Sequence, residues 1–136
     1  MTASAQPGRL IIDSHLDLAW NALSWNRDLT RPVADIRASE SAMRDDDSRG
    51  RGTTSLPELR RGRVGVCLGT ILVRARPVVR PETGYRRTDL DFATQQIAYA
   101  EGQGQLAYYR ALDDAGEICL ISDQASLQKH WARWNG

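Results

Sequence analysis

Two apolar runs along the chain predict strands. Residues 10–12 form a short, continuous branched run that leads into the polar residues 13–17, and residues 64–73 are apolar at almost every position. Continuous runs of this kind are typical of parallel strands that are buried on both faces. We therefore predict two buried parallel strands, the first of which carries polar side chains at its far end.

Helical patterns follow each predicted strand. Residues 18–25 predict a short helix, and residues 37–54 are polar enough to predict a solvated loop. Ser55, with Glu58 three positions later, has the spacing of a capping box that opens a short helix. Gly62 is the expected end of that helix because glycine is common just beyond a helix C-terminus.

The second half of the chain predicts one long helix and one short one. A capping signal at Thr88 predicts a helix to about Leu112, with residues 74–84 before it as a loop. Residues 117–121 predict a short strand, and residues 122–134 predict a final amphipathic helix. The buried face of the long helix is predicted from helical spacing at Leu90, Ala93, Ile97 and Ala100.

This alternation of strands and helices predicts an α/β protein with a parallel sheet. Two strong strands are too few for a closed sheet, so their edges and apolar faces would stay open. Physical reasoning alone therefore indicates an incomplete fold in these 136 residues.

Composition narrows the function classes. The chain is 41% hydrophobic and 26% charged, with a formal net charge of +1, which gives no reason to expect nucleic acid or an anionic membrane as a partner. No apolar run approaches the roughly 20 residues of a membrane span, and residues 1–8 predict a flexible N-terminus without a secretory pattern. We expect a soluble cytoplasmic protein in which Cys67 and Cys119 are buried, reduced thiols.

The strongest candidate for chemistry is the pair His15 and Asp17. Residues two apart in a strand project to the same side, so an imidazole nitrogen and a carboxylate oxygen are expected together, a pair that suits zinc. Asp13, one step earlier on that face, is a candidate to orient His15. The alternative is an ordinary hydrogen bond at a strand end. His130, on the final helix, is expected to be solvated and is not recruited.

Two sequence blocks extend this interpretation to a family. Residues 11–20 read IIDSHLDLAW and residues 55–66 read SLPELRRGRVGV. In order and separation they resemble the opening strand and the approach to the second strand of the membrane (renal) dipeptidases. The resemblance becomes looser after residue 88, where a pair of helices flanks a short strand.

The resemblance implies the N-terminal part of a (β/α)8 TIM barrel with a binuclear zinc site. His15 and Asp17 match the first-strand ligands of one zinc ion, and a metal-bound hydroxide would attack the carbonyl of a dipeptide substrate. The bridging glutamate and later histidines of the family would lie beyond residue 136. Residues 1–136 are then a partial barrel domain, truncated before its third strand and inactive alone, while family members often form homodimers.

Two other interpretations stay open. A non-catalytic remnant or interaction module would keep the first strands without the chemistry. A relative within the wider metal-dependent amidohydrolases would more often open with H-x-H, so Asp17 in the second position favours the dipeptidases.

Overall fold

The computed structural model describes residues 10–77 and 90–134, so the predicted flexible N-terminus and the capping signal at Thr88 lie outside the described residues. In chain order its elements are β1 (Ile11–Leu16), α1 (Leu18–Trp25), α2 (Val33–Glu40), α3 (Leu56–Arg61), β2 (Val64–Gly69), β3 (Arg74–Ala75), β4 (Asp91–Phe92), α4 (Gln95–Asp114) and α5 (Gln124–Trp134).

The two predicted strands pair in parallel. β1 lies beside β2, with Ile11 opposite Val64 and Leu16 opposite Gly69, and the register is irregular between Asp13 and Leu16. The short strands β3 and β4 form a second two-stranded parallel sheet. The chain is therefore a mixed α/β structure with small parallel sheets, as predicted, and the described residues do not close a barrel.

The prediction that both strands are buried is wrong. Ile11 is 49% exposed, Ile12 is 62% exposed and Leu68 on β2 is 62% exposed. The core instead lies among the helices, at Leu18, Ala19, Ala22, Leu29, Ile36, Leu56, Tyr109 and Leu112. Because this core contacts the sheet mainly through Leu16 and Cys67, much of the sheet surface stays open.

The polar segment 37–54 is not entirely a loop, since α2 extends through Glu40. This helix forms because Val33 and Ile36 face the core, and the Glu40 carboxylate is buried beside two arginines. The periodicity was hidden by the many charged residues that follow. The short helix α3 has Ser55 as its N-cap and Gly62 as its C-cap, as predicted, but the predicted capping box does not form, because the Ser55 hydroxyl bonds to the Glu58 carboxylate and makes no bond to the helix backbone.

The long helix begins later than predicted and buries a different face. Thr94 is its N-cap, and the Thr94 hydroxyl accepts the N–H of Ile97 at 3.2 Å. The predicted face is wrong: Ile97 is 49% exposed and Ala100 is also exposed. The observed buried positions are Ala98, Gly102, Gln105, Tyr109 and Leu112.

The end of the chain differs in three details. Residues 117–121 form no strand and Cys119 is exposed, so both expectations are wrong there. α5 is the predicted final helix, although none of its residues is fully buried. The expectation of a solvated His130 is also wrong, because its Nε2 lies 2.7 Å from the carbonyl oxygen of Gly65.

Candidate functional site

The polar residues predicted as a site lie where β1 ends. His15 is the penultimate residue of β1, and Asp17 follows the strand as the N-cap of α1. The Asp17 side chain makes no capping bond to the helix and is free to point elsewhere. The Asp13 carboxylate accepts the backbone N–H of His15 at 2.9 Å, so Asp13 acts on the backbone of His15 and not on its imidazole.

His15 and Asp17 do project together. Nε2 of His15 lies 3.3 Å from Oδ2 of Asp17, and 68% of the histidine side chain and 29% of the aspartate side chain are exposed. Two atoms that bind one tetrahedral zinc at ordinary bond lengths lie about 3.3–3.5 Å apart. The separation of these atoms therefore fits two ligands of one zinc ion, and it equally fits the alternative of a direct contact between histidine and aspartate at a strand end.

A third residue, Thr70, holds the aspartate. The Thr70 hydroxyl donates to Oδ1 of Asp17. Its backbone N–H donates to the carbonyl oxygen of Leu16 at 3.0 Å, which continues the pairing of the two parallel strands by one residue. Because Oδ1 is held by threonine, Oδ2 is the oxygen that faces the imidazole.

Tyr109 of α4 supports this arrangement from beneath. Its hydroxyl donates to the carbonyl oxygen of Thr70 at 3.0 Å and accepts the N–H of Ala19 at 3.2 Å. Only 6% of the residue is exposed, and this burial raises the pKa of the phenol. Tyr109 thus connects the residues that follow Asp17 with the residue that follows β2.

Gly69 provides the space for Tyr109. A Cβ atom at Gly69 would lie 3.0 Å from Cζ of the Tyr109 ring and 3.1 Å from its hydroxyl oxygen. Both contacts are closer than side chains normally tolerate, and a ring fixed by two hydrogen bonds has little freedom to move. A side chain at this position would therefore displace the tyrosine.

Cys67 lies on β2 directly opposite Asp13 of β1. Burial first, and the Asp13 charge second, raise the pKa of the Cys67 thiol above its ordinary value. The described residues contain no group of three or more histidine, cysteine or acidic side chains arranged to hold a metal ion. The candidate site within the described residues therefore consists of one imidazole and one carboxylate.

The remaining candidates lie elsewhere. His130 bonds to Gly65 at the start of β2, away from the strand end that carries Thr70. Arg60 of α3 is used in an ion pair with Glu117 at 2.6 Å.

Neither Thr70 nor the polar role of Tyr109 is predicted from the sequence. The predicted strand extends to residue 73, whereas β2 ends at Gly69, so that Thr70 follows the strand. The available signal was the Gly69-Thr70 pair, which interrupts the apolar run of residues 64–73. A polar residue at this position lies beside the carboxyl end of the neighbouring strand β1. For Tyr109 no local signal existed, since its partners are 39 and 90 residues away in sequence.

Comparison with protein-family models, with curated proteins and with solved structures gave no match. The resemblance to the dipeptidases therefore rests on the two sequence blocks alone. Within the described residues, no helix combines the length and apolar character that crossing a membrane requires.

Proposed function

We propose that this chain is the N-terminal part of a zinc-dependent dipeptidase with a (β/α)8 barrel, in which His15 and Asp17 are ligands of one zinc ion of a binuclear site. The observation that carries the proposal is the 3.3 Å separation of Nε2 and Oδ2 at the carboxyl end of a parallel strand. Catalytic groups of barrel enzymes gather at that end of their strands.

The open sheet supports the architectural part of the proposal. In a barrel both edges of each strand are paired and its outer face is covered by helices. The exposure of Ile12 on β1 and of Leu68 on β2 is what such strands would show before further strands and helices are added.

The proposed division of roles follows from the contacts. When bound, zinc would act as a Lewis acid on the dipeptide carbonyl and would activate a water molecule for its hydrolysis. In this chain His15 and Asp17 bind the metal, and Asp13 fixes the backbone of His15 through its 2.9 Å hydrogen bond. Since two protein ligands do not make a catalytic zinc site, we assign dipeptide hydrolysis to the complete barrel and no activity to these residues alone.

The remaining parts of the proposal are a cytoplasmic location, a dipeptide substrate and assembly as a homodimer. We expect neither nucleic acid nor a membrane as a partner, because the formal net charge of the chain is only +1.

A calorimetric titration of the protein with zinc tests the assignment of His15 and Asp17 as ligands. We expect weak, saturable binding by the wild type and its loss in His15→Ala and in Asp17→Asn. His130→Ala is the matched control, because it removes a histidine that bonds to Gly65 and lies outside the site. Equal zinc uptake by the wild type and by the double variant at positions 15 and 17 would overturn the assignment.

A second candidate function is a non-catalytic interaction module derived from the same fold. The exposed apolar residues of β1 and β2 favour it, since such surfaces often bind partners. Reading the coding DNA beyond codon 136 separates the two. A frame that continues into a third strand with a glutamate and later histidines supports the enzyme, and a stop codon supports the module.

A further inference from the structure

We propose that Thr70 is a positioning residue for the metal ligand Asp17, and that it fixes the orientation of the Asp17 carboxylate. This inference rests on the proposed zinc-binding role of His15 and Asp17. It assigns a function to the residue that follows β2, whereas His15 lies on β1 and Asp17 directly follows β1.

The first step concerns the contacts that the two carboxylate oxygens of Asp17 make. Oδ1 of Asp17 accepts the hydroxyl hydrogen of Thr70, while Oδ2 faces Nε2 of His15 at 3.3 Å. A carboxylate rotates readily about its terminal torsion, and its two oxygens are chemically equivalent. The hydrogen bond from Thr70 to one oxygen restricts this torsion, so that the other oxygen is held towards the imidazole.

The second step is that Thr70 is itself held at both ends. Its N–H bonds to Leu16 at 3.0 Å, and its carbonyl oxygen accepts the Tyr109 hydroxyl at 3.0 Å. The same tyrosine hydroxyl accepts the N–H of Ala19, two residues after Asp17. Thr70 and Asp17 are therefore anchored to one buried side chain, which keeps their separation constant.

The third step concerns energetics. Groups that orient metal ligands commonly contribute about 10- to 100-fold to metal affinity, because they hold the ligand in its binding geometry before the metal arrives. Asp17 is partly exposed, so without Thr70 its side chain would also sample solvent-facing rotamers. Zinc binding would then have to overcome the entropy of ordering it.

The test compares Thr70→Val, which removes the hydroxyl at nearly constant shape, with Thr70→Ser, which keeps it. The control is Thr53→Val, the same change at an exposed threonine. Zinc titration of the full chain should show a dissociation constant about 10- to 100-fold higher for Thr70→Val. We expect Thr70→Ser and Thr53→Val to bind zinc as the wild type does.

A second readout needs no metal. The ¹⁵N chemical shifts of the His15 imidazole report how its proton is shared between the two ring nitrogens, and this depends on how steadily the Asp17 carboxylate is held facing Nε2. They should change in Thr70→Val and not in Thr53→Val. A threonine that only supports the fold would lower the stability of Thr70→Val without moving these shifts. If Thr70→Val does not fold, the smaller Thr70→Ala replaces it in both measurements.

The outcomes separate the two proposals. If His15→Ala abolishes zinc binding and Thr70→Val binds like the wild type with unchanged shifts, the role of Thr70 is overturned and the ligand assignment stands. If the wild type takes up no zinc, or if His15→Ala has no effect on zinc binding, both proposals fall.

Discussion

Glu40 is the most strongly constrained charged residue described here. Its carboxylate accepts Nε of Arg27 at 2.7 Å and Nη2 of Arg27 at 2.9 Å, and it also pairs with Arg49 at 3.0 Å. Only 3% of Glu40 is exposed, and the guanidinium groups of both arginines lie 5.2 Å from the ring of Trp25. Because a buried charge without its partner is costly, this cluster should matter more to stability than any surface ion pair.

We predict that Glu40→Gln lowers the free energy of unfolding by roughly 3–5 kcal/mol, since it leaves the buried Arg27 charge uncompensated. Urea denaturation measures the change. Asp47→Asn is the control: it makes the same kind of substitution at an exposed position and should change the unfolding free energy by less than about 0.5 kcal/mol. Equal stability of Glu40→Gln and wild type would show that the cluster contributes no net stabilisation.

The same cluster should make the unfolding free energy depend on pH in the acidic range. Hydrogen bonds from Arg27 lower the pKa of Glu40 from 4.5 to about 2 in the folded protein. A depressed pKa stabilises the fold above the unfolded value, and this contribution is lost as the pH falls from about 4.5 towards 2. The unfolding free energy of the wild type should therefore fall more steeply across this range than that of Glu40→Gln, with chemical denaturation at several pH values as the measurement.

At the scale of elements, Gln105 connects α4 to the segment that follows β2. Its side-chain oxygen accepts the N–H of Leu72 at 2.8 Å, and its amide nitrogen donates to the carbonyl oxygen of Leu72 at 2.9 Å. Gln105 is fully buried, and both groups of Leu72 would have no such partner if its amide were removed. The glutamine pairs with the backbone much as a neighbouring strand would.

Replacing Gln105 with leucine should lower the unfolding free energy by about 2–4 kcal/mol, because two backbone groups lose their partners. Gln103→Leu, on the exposed side of the same helix, serves as the control. Amide hydrogen exchange adds a local measurement, since the N–H of Leu72 should exchange faster in the Gln105 variant alone. Unchanged exchange at Leu72 would contradict the proposed role of the amide.

The same element shows what the sequence could predict. The existence of α4 and of α5 followed from periodicity, and the parallel pairing of β1 and β2 followed from two apolar runs joined by helical segments. The buried face of α4 did not follow, because a polar residue at its centre satisfies its hydrogen bonds only through Leu72, 33 residues earlier. Helical periodicity counts apolar residues, so it assigned the face to Ile97 instead.

The candidate site, like α4, could be predicted only in part from the sequence. The approach of His15 to Asp17 was predicted from local spacing, although the two are not both in the strand. Thr70 and Tyr109 could not be placed, because their contacts depend on how distant segments pack and on where β2 ends.

At the scale of the whole molecule, the exposed apolar surface of the sheet is the main feature. Ile12 and Leu68 are each 62% exposed, and Trp131 of α5 is 43% exposed. Large apolar side chains that are exposed on a sheet often belong to a surface that another part of a protein covers. The chain should therefore bind a hydrophobic dye and associate with itself at high concentration.

Ile12→Lys should reduce both dye binding and self-association, because it places a charge on the open sheet surface and leaves the core residues unchanged. Dye fluorescence and light scattering after size-exclusion chromatography are the measurements. Ala42→Lys adds the same charge in an exposed segment elsewhere and should leave both unchanged. Dye binding that is weak in the wild type, or equal in both variants, would contradict the assigned surface.

The contact between Asp17 and Thr70 also bears on how the protein folds. The two residues are 53 positions apart, and α1, α2 and α3 lie between them. Local helices form quickly, whereas closing so long a segment delays the pairing of the strands at its ends. If His15 and Asp17 bind zinc as proposed, they are oriented for it only after β1 and β2 have met, so that zinc affinity should arise late in folding and partly folded chains should not capture zinc in this geometry.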